Sequence, residues 1–210
     1  MKTILFDLDG TLTDSGEGII NCASLALEKL GLPVPDRENM RVFVGPPLRE
    51  SFPKFGVRDE DVEEAIAIYR SRYVPIGMFE NTPYPGIRAM LAALKVQGHR
   101  LYVATSKPES MAKSILEKFE LANYFDAICG ATLDGSRDTK EGVIAYTLSQ
   151  IECYDEILMV GDTQYDVLGA AENGIRTIGV SWGYGKADDM IAAGAIKIAH
   201  SPAELLKVLL

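Results

Sequence analysis

Aspartates close two of the short apolar runs in this 210-residue chain. The run Thr3 to Phe6 leads into Asp7-Leu8-Asp9-Gly10-Thr11-Leu12-Thr13, and the run Ile157 to Val160 leads into Gly161-Asp162-Thr163-Gln164-Tyr165-Asp166. A third run, Leu101 to Ala104, passes into Thr105-Ser106-Lys107, and Lys140 opens a helical pattern ahead of the Ile157 run. If these ends lie side by side, Asp7, Asp9, Asp162 and Asp166 crowd four negative charges together. Two unit charges ~4 Å apart repel by roughly 4 kcal/mol at an effective dielectric near 20, so such a group needs compensation. A hard divalent cation that prefers oxygen ligands, Mg²⁺, is the natural neutraliser, with Lys140 as a second positive charge. The plainer alternative makes these acids caps and solvated loop residues, the usual fate of Asp-Gly and Gly-Asp pairs. Their coincidence at two strand ends, with Thr105-Ser106-Lys107 at a third, argues against it.

The residue types suit phosphoryl transfer. Asp7 is a candidate nucleophile, because a carboxylate can form an acyl-phosphate and split hydrolysis into two easier displacements. Asp9, two residues on, is placed to protonate a leaving oxygen and later to deprotonate the attacking water. Gly10 allows a turn sharp enough to bring Asp9 back over Asp7. Thr105 and the backbone N–H of Ser106 could hold a phosphoryl group at a helix N-terminus, while Ser106 also reads as a simple helix cap. Asp162 and Asp166, four apart, can share one helical face, one touching metal and the other orienting it.

These residues need a scaffold that brings several strand ends together. Apolar runs at Thr3 to Phe6, Leu101 to Ala104, Ala127 to Cys129, Ile157 to Val160, Thr177 to Val180 and Ala195 to Ile198 alternate with amphipathic patterns. That rhythm predicts an α/β fold with a Rossmann-like parallel sheet covered by helices. Pro85 or Gly86 opens a helix over Ile87 to Val96, Pro108 stands as a first helical residue before Met111 to Phe119, and Asn173-Gly174 ends a third. From Ser15 to Asn81 the pattern offers helices only, Ile19 to Leu30 and Val62 to Tyr73 most clearly. Residues 15–81 are therefore expected to form an inserted all-helical domain, with 1–14 and 82–210 forming the catalytic core. In an open parallel sheet, ligands bind beyond the carboxyl ends of the strands, where the acids lie.

Composition narrows the partners. With 21 Lys and Arg against 30 Asp and Glu, the formal net charge is −9. This mean field repels nucleic acid polymers and anionic membrane, leaving a small anionic substrate in a local basic pocket. No apolar stretch approaches the roughly 18 residues of a membrane span. Cys22, Cys129 and Cys153 are scattered without a CxxC, which fits a reducing compartment. The expectation is a soluble, cytoplasmic protein, monomer or homodimer.

In these motifs and their order the chain resembles the haloacid dehalogenase superfamily of phosphohydrolases, within it the phosphoglycolate phosphatase and class IA 5′-nucleotidase-like branch. Asp7 to Thr13 is similar to the family's first motif, Thr105-Ser106 to its second, Lys140 to its third and Gly161-Asp162 through Asp166 to its fourth. The resemblance implies Asp7 as phosphoryl acceptor, Asp9 as general acid/base, Thr105 as phosphate ligand and Lys140 as the charge that positions Asp7. It implies Mg²⁺ held by Asp7, the Asp9 backbone carbonyl and Asp162, with Asp166 at or beyond the edge of that shell. It makes the helical insertion a mobile cap that excludes water and selects substrate. Asp9 separates the chain from the superfamily's dehalogenases, which lack that acid. Phe43 to Arg49, Gly130 to Arg137 and Trp182 to Gly185 resemble the 5′-nucleotidase-like branch more than generic phosphoglycolate phosphatases, and the resemblance as a whole implies a nucleoside 5′-monophosphate or phosphoglycolate as substrate. Arg49 and Arg137 are candidates for a second anionic group, or simply solvated. Trp182 has two readings, active-site contact and loop packing.

Three other readings fit parts of the sequence. Gly179-Val180-Ser181-Trp182-Gly183 matches the GxSxG nucleophile elbow, with Asp188, Asp189 and His200 following. Too little chain follows for the strands that carry the acid and base of that fold, and Gly183-Tyr184-Gly185 displaces the helix that should begin at once. A phospho-accepting receiver module shares an acceptor Asp, a Thr or Ser, a Lys and Mg²⁺, but lacks a helical insertion and an acid two residues beyond the acceptor. A phosphomutase would use the same Asp7 and Asp9. His99 and His200 have no partner at metal-ligand spacing and are expected to be solvated.

Overall fold

Every residue of Thr3–Phe6 (β1) is buried, as a central parallel strand covered on both faces requires. The computed structural model describes residues 1–152 and 156–210, so Cys153 lies outside the described residues. After β1 come Thr13–Asp14 (β2), Gly16–Lys29 (α1), Arg37–Met40 (α2), Leu48–Ser51 (α3), Val62–Tyr73 (α4) and Thr82–Pro83 (β3). Ile87–Val96 (α5), Arg100–Pro108 (β4), Glu109–Lys118 (α6), Ala127–Ala131 (β5) and Lys140–Ser149 (α7) follow. Ile157–Gly161 (β6), Gln164–Glu172 (α8), Arg176–Val180 (β7), Ala187–Ala192 (α9), Lys197–Ala199 (β8) and Pro202–Leu209 (α10) complete the chain.

Six strands form one sheet in the order β5-β4-β1-β6-β7-β8, every pairing parallel. This is the α/β parallel-sheet class that the sequence rhythm predicts. Phe6 is in register with Val103 of β4 and Val160 of β6, so the three acid- and threonine-bearing ends leave the sheet level with one another. The connections to β4 and β6 run to opposite sides of β1, which makes its carboxyl end the switch point where such sheets open a crevice. On one face Leu5, Tyr102 and Met159 pack with Val143 and Ile144 of α7 and Ala170 of α8, fixing both helices against the strands whose ends matter.

By internal contacts the chain divides into two compact units, Met1–Thr13 with Pro83–Leu210, and Asp14–Thr82. The second unit has an aromatic core: Phe43 meets Phe52 edge-on with ring centroids 5.1 Å apart, and Tyr69 stacks on Tyr73 at 5.0 Å. Beside it Arg72 binds Glu80 through two nitrogens, each 2.7 Å from a carboxylate oxygen, and Nη1 also donates to Cys22 Sγ at 3.3 Å.

Some local expectations are corrected. The last strand is Lys197–Ala199, shifted from Ala195 to Ile198, because the Ala195 N–H closes the turn after α9 on the Met190 carbonyl at 2.9 Å. Pro108 is the extended N-cap of α6, which starts at Glu109. His99 is buried, its Nδ1 accepting the Lys2 backbone N–H at 3.0 Å, and burial holds its pKa below the usual value. Among the described residues no helix is long and apolar enough to cross a membrane.

Candidate active site

Asp7 follows β1 directly, its N–H donating to the Val160 carbonyl at 2.9 Å. The chain then turns back: Gly10 has φ +83, open to glycine at little cost, and its N–H donates to the Thr13 carbonyl at 2.8 Å. A Cβ on Gly10 would lie 2.1 Å from Asp162 Oδ2. Glycine is needed here both for the turn and for the approach of the β6 end.

Lys140 is the first residue of α7, a position where the helix dipole disfavours a cation. Two carboxylates offset that cost: Nζ lies 2.8 Å from Asp7 Oδ1 and 2.7 Å from Asp166 Oδ1, and it also donates to the Ala104 carbonyl at 3.3 Å. Burial opposes its charge, yet Asp166 and Asp7 raise its pKa above the ordinary lysine value.

Asp162 and Asp166 do not share a helical face. Asp162 precedes α8, while Asp166 closes a capping box, its Oδ2 accepting from Thr163 N at 3.0 Å and Thr163 Oγ1 at 2.9 Å. Asp162 is oriented by Tyr184 N, 2.8 Å from Oδ2, and Thr11 Oγ1, 3.3 Å from Oδ1. The Trp182-Gly183-Tyr184-Gly185 segment thus lies against an acid of the site, and a Cβ on Gly183 would stand 2.3 Å from Asp162 Oδ2. Trp182 donates from Nε1 to the Thr11 carbonyl at 3.0 Å and meets Tyr84 edge-on. It braces the turn that follows Asp9.

Asp7, Asp162 and Asp166 offer carboxylate oxygens that all lie within 4.8 Å of one another. Burial, against the pull of Lys140 and with the push of Asp166, raises the pKa of Asp7 to about 6. Burial and the charges of Asp166 and Asp7 push Asp162 well above the usual carboxylate range. A buried, oxygen-only set that is short of positive charge matches what a hard cation such as Mg²⁺ prefers.

Asp9 stands outside that triad. Its Oδ2 is 2.7 Å from Lys107 Nζ, and its Oδ1 is buried with no hydrogen-bond partner among the described residues. Thr105 is buried and its Oγ1 accepts the Lys107 N–H at 3.3 Å. Ser106 does not cap α6, since Pro108 occupies that position. Nothing in its sequence context marks Lys107 as a residue of the site. A departure from strand pairing, invisible in composition, buries it.

The two arginine candidates are engaged elsewhere. Arg49 pairs with Glu63 on the helical unit. Arg137 donates from Nε to the Gly130 carbonyl at 2.9 Å, pairs with Glu109 at 3.3 Å, and lies over the Tyr146 ring at 3.6 Å. Ser181 Oγ is 2.8 Å from His200 Nδ1, but that imidazole has no carboxylate partner among the described residues, and its backbone N–H, not its ring, binds Glu204.

This geometry falls within a known family. Residues 4–180 match the model of the haloacid dehalogenase-like hydrolases, and the chain belongs to that family of enzymes. It is 44% identical over 191 residues to a 5′-nucleotidase of Pseudomonas aeruginosa, covering 90% of this chain and 86% of that protein. It is 43% identical over 201 residues to the tyrosine-protein kinase PtkA of Mycobacterium tuberculosis, covering 95% of this chain and 69% of that protein. The crystal structure of a "predicted phosphatase" from Clostridium acetobutylicum superposes with a TM-score of 0.94 at 45% identity, covering 99% of this chain and 97% of that one.

Proposed function

We propose that the protein is a Mg²⁺-dependent phosphomonoester hydrolase acting through an aspartyl-phosphate on Asp7, with a nucleoside 5′-monophosphate or phosphoglycolate as substrate. The observation that carries this reading is Asp7 itself, a buried carboxylate gripped through Oδ1 by Lys140 at 2.8 Å. Its other oxygen attacks phosphorus while the bond to the leaving oxygen breaks and Asp9 supplies that oxygen's proton. Water then attacks the acyl-phosphate, Asp9 takes its proton, and inorganic phosphate leaves with Asp7 regenerated. Thr105 and the Ser106 N–H bind phosphoryl oxygens, and Lys140 keeps Asp7 ionised and oriented. Asp7 and Asp162, with Asp166 and the Asp9 carbonyl beside them, would hold the ion, which supplies positive charge to the phosphoryl oxygens. The helical unit serves as the cap that selects substrate.

The test is inorganic phosphate release from nucleoside 5′-monophosphates, phosphoglycolate and sugar phosphates, with Mg²⁺ or with chelator, wild type beside Asp7→Asn. Metal-dependent release that falls about 10³-fold or more in the variant is expected. Unchanged release in Asp7→Asn refutes the mechanism, and the order of substrates decides between the two esters. The likeness to PtkA supports a second reading, in which the acyl-phosphate passes to a tyrosine hydroxyl instead of water. Transfer of label from ATP to a tyrosine-containing protein, without matching phosphate release, would select it.

A further inference from the structure

We propose that Lys107 is a positioning residue for Asp9, holding Oδ2 of that carboxylate so that Oδ1 is the atom exchanging a proton with the leaving group. The inference rests on the phosphohydrolase reading above and goes beyond it in giving a role to a residue outside the four motifs.

Three observations carry it. Lys107 and Asp9 form an ion pair at 2.7 Å with side chains only 5% and 11% exposed. A pair so shielded is screened little by solvent and holds its geometry. Next, β4 leaves register with β5 here: Thr105 pairs with Gly130, yet Pro108 pairs with Ala131. Two extra residues, Ser106 and Lys107, are therefore accommodated on β4 alone. Irregularities of this kind re-aim side chains, and this one sets Lys107 against Asp9 while the Thr105 hydroxyl pins its N–H at 3.3 Å. Finally, the two oxygens of Asp9 differ. Oδ2 is taken by the ammonium, whereas Oδ1 is buried with no hydrogen-bond partner among the described residues. A buried carboxylate oxygen without a donor is costly unless a proton meets that need, and either the proton that Oδ1 carries before giving it to the leaving oxygen or a hydrogen of the attacking water does so.

A lysine that bound substrate phosphate directly would serve every phosphate ester alike. A lysine that aims the general acid matters in proportion to how much the leaving group needs a proton. Protonation is essential for an alkoxide and dispensable for p-nitrophenolate. The experiment measures kcat/KM for glycerol phosphate and for p-nitrophenyl phosphate in wild type, Lys107→Met, Asp9→Ala and the double variant. Lys107→Met is expected to lower kcat/KM about 30-fold for the alkyl ester and threefold or less for the aryl ester, and to add no more than about twofold in the Asp9→Ala background. Lys107→Arg, which keeps the charge should Lys107→Met fail to fold, is expected to recover part of the alkyl-ester rate without changing the aryl-ester rate. Equal losses on both esters, or a Lys107→Met effect undiminished in Asp9→Ala, overturn the inference while leaving the hydrolase reading intact. An Asp9→Ala variant with full activity on both esters overturns the acid/base reading itself, and the inference with it.

Discussion

The Arg72 and Glu80 pair in the helical unit and the Asp7, Asp162, Asp166 and Lys140 group at the end of the sheet are both clusters of partly or fully buried charge, built on opposite terms. Glu80 meets Arg72 in a two-pronged pair and accepts from Asn21 Nδ2 at 3.2 Å, so its charge is matched where it stands, and the Arg72 bonds lower its pKa. At the strand ends three carboxylates face one ammonium, and two of them have raised pKa values. The first cluster is closed; the second has more carboxylates than cations and could hold a metal ion. Where charge balances internally, the residues serve the fold, and where it does not, they are suited to binding.

Breaking the open cluster should produce the largest effect. Saturating Mg²⁺ is expected to raise the thermal midpoint of wild type by about 5 °C, since a ligand at a hundred times its Kd adds about 2.7 kcal/mol. Asp162→Asn should abolish most of that shift, yet without metal it should melt above wild type because one repelling charge is gone. A wild-type midpoint indifferent to Mg²⁺ would break the contrast. The fluorescence of Trp182, the one tryptophan, follows the same titration through Thr11.

Breaking the closed cluster should act on stability alone. Arg72→Ala leaves Glu80 with Asn21 as its remaining donor and Cys22 without the Arg72 bond, and is expected to cost about 1–3 kcal/mol in urea denaturation, with the Mg²⁺ shift retained. Loss of that shift in Arg72→Ala would show that the clusters are not independent.

The last effect is one of sign. Asp7 titrates at about 6 in the fold against 3.8 outside it, so in chelator its contribution is full below pH 3.8 and is lost as pH rises through 6. Glu80 is shifted downward from 4.5, so its contribution is present above pH 4.5 and is lost as pH falls. Urea midpoints measured against pH should therefore show Asp7→Asn flattening the slope between pH 4 and 6, and Glu80→Gln flattening it below pH 4.5. The same slope in both variants would remove the distinction.

Periodicity made the sheet legible, since β1, β4 and β6 are apolar runs closed by small or acidic residues, and the parallel order follows from helices between them. The acids of the site could be read as a group because they occupy the ends of those runs. What sequence could not supply was pairing at a distance. Glu63 and Glu109 claim the two arginines that stood as candidates for a second anion. Lys107 needed the β4 irregularity to become buried, and His99 needed the Lys2 N–H brought beside it by β1 and β4. The Asp162 to Asp166 spacing of four suggests a helix face, but Thr163 is the N-cap and α8 starts at Gln164, two residues beyond Asp162.

The place of β1 between β4 and β6 also governs when these carboxylates can meet during synthesis. Thr11 and Asp162 touch across 151 residues of chain, so β1 can pair with β4 first and stays without its other neighbour until β6 follows. Contacts so distant in sequence form late and slowly. A nascent chain that has not yet produced Ile157–Gly161 cannot bring Asp162 and Asp166 to Asp7 and Asp9, so the gathered site arises only once β6 has been made.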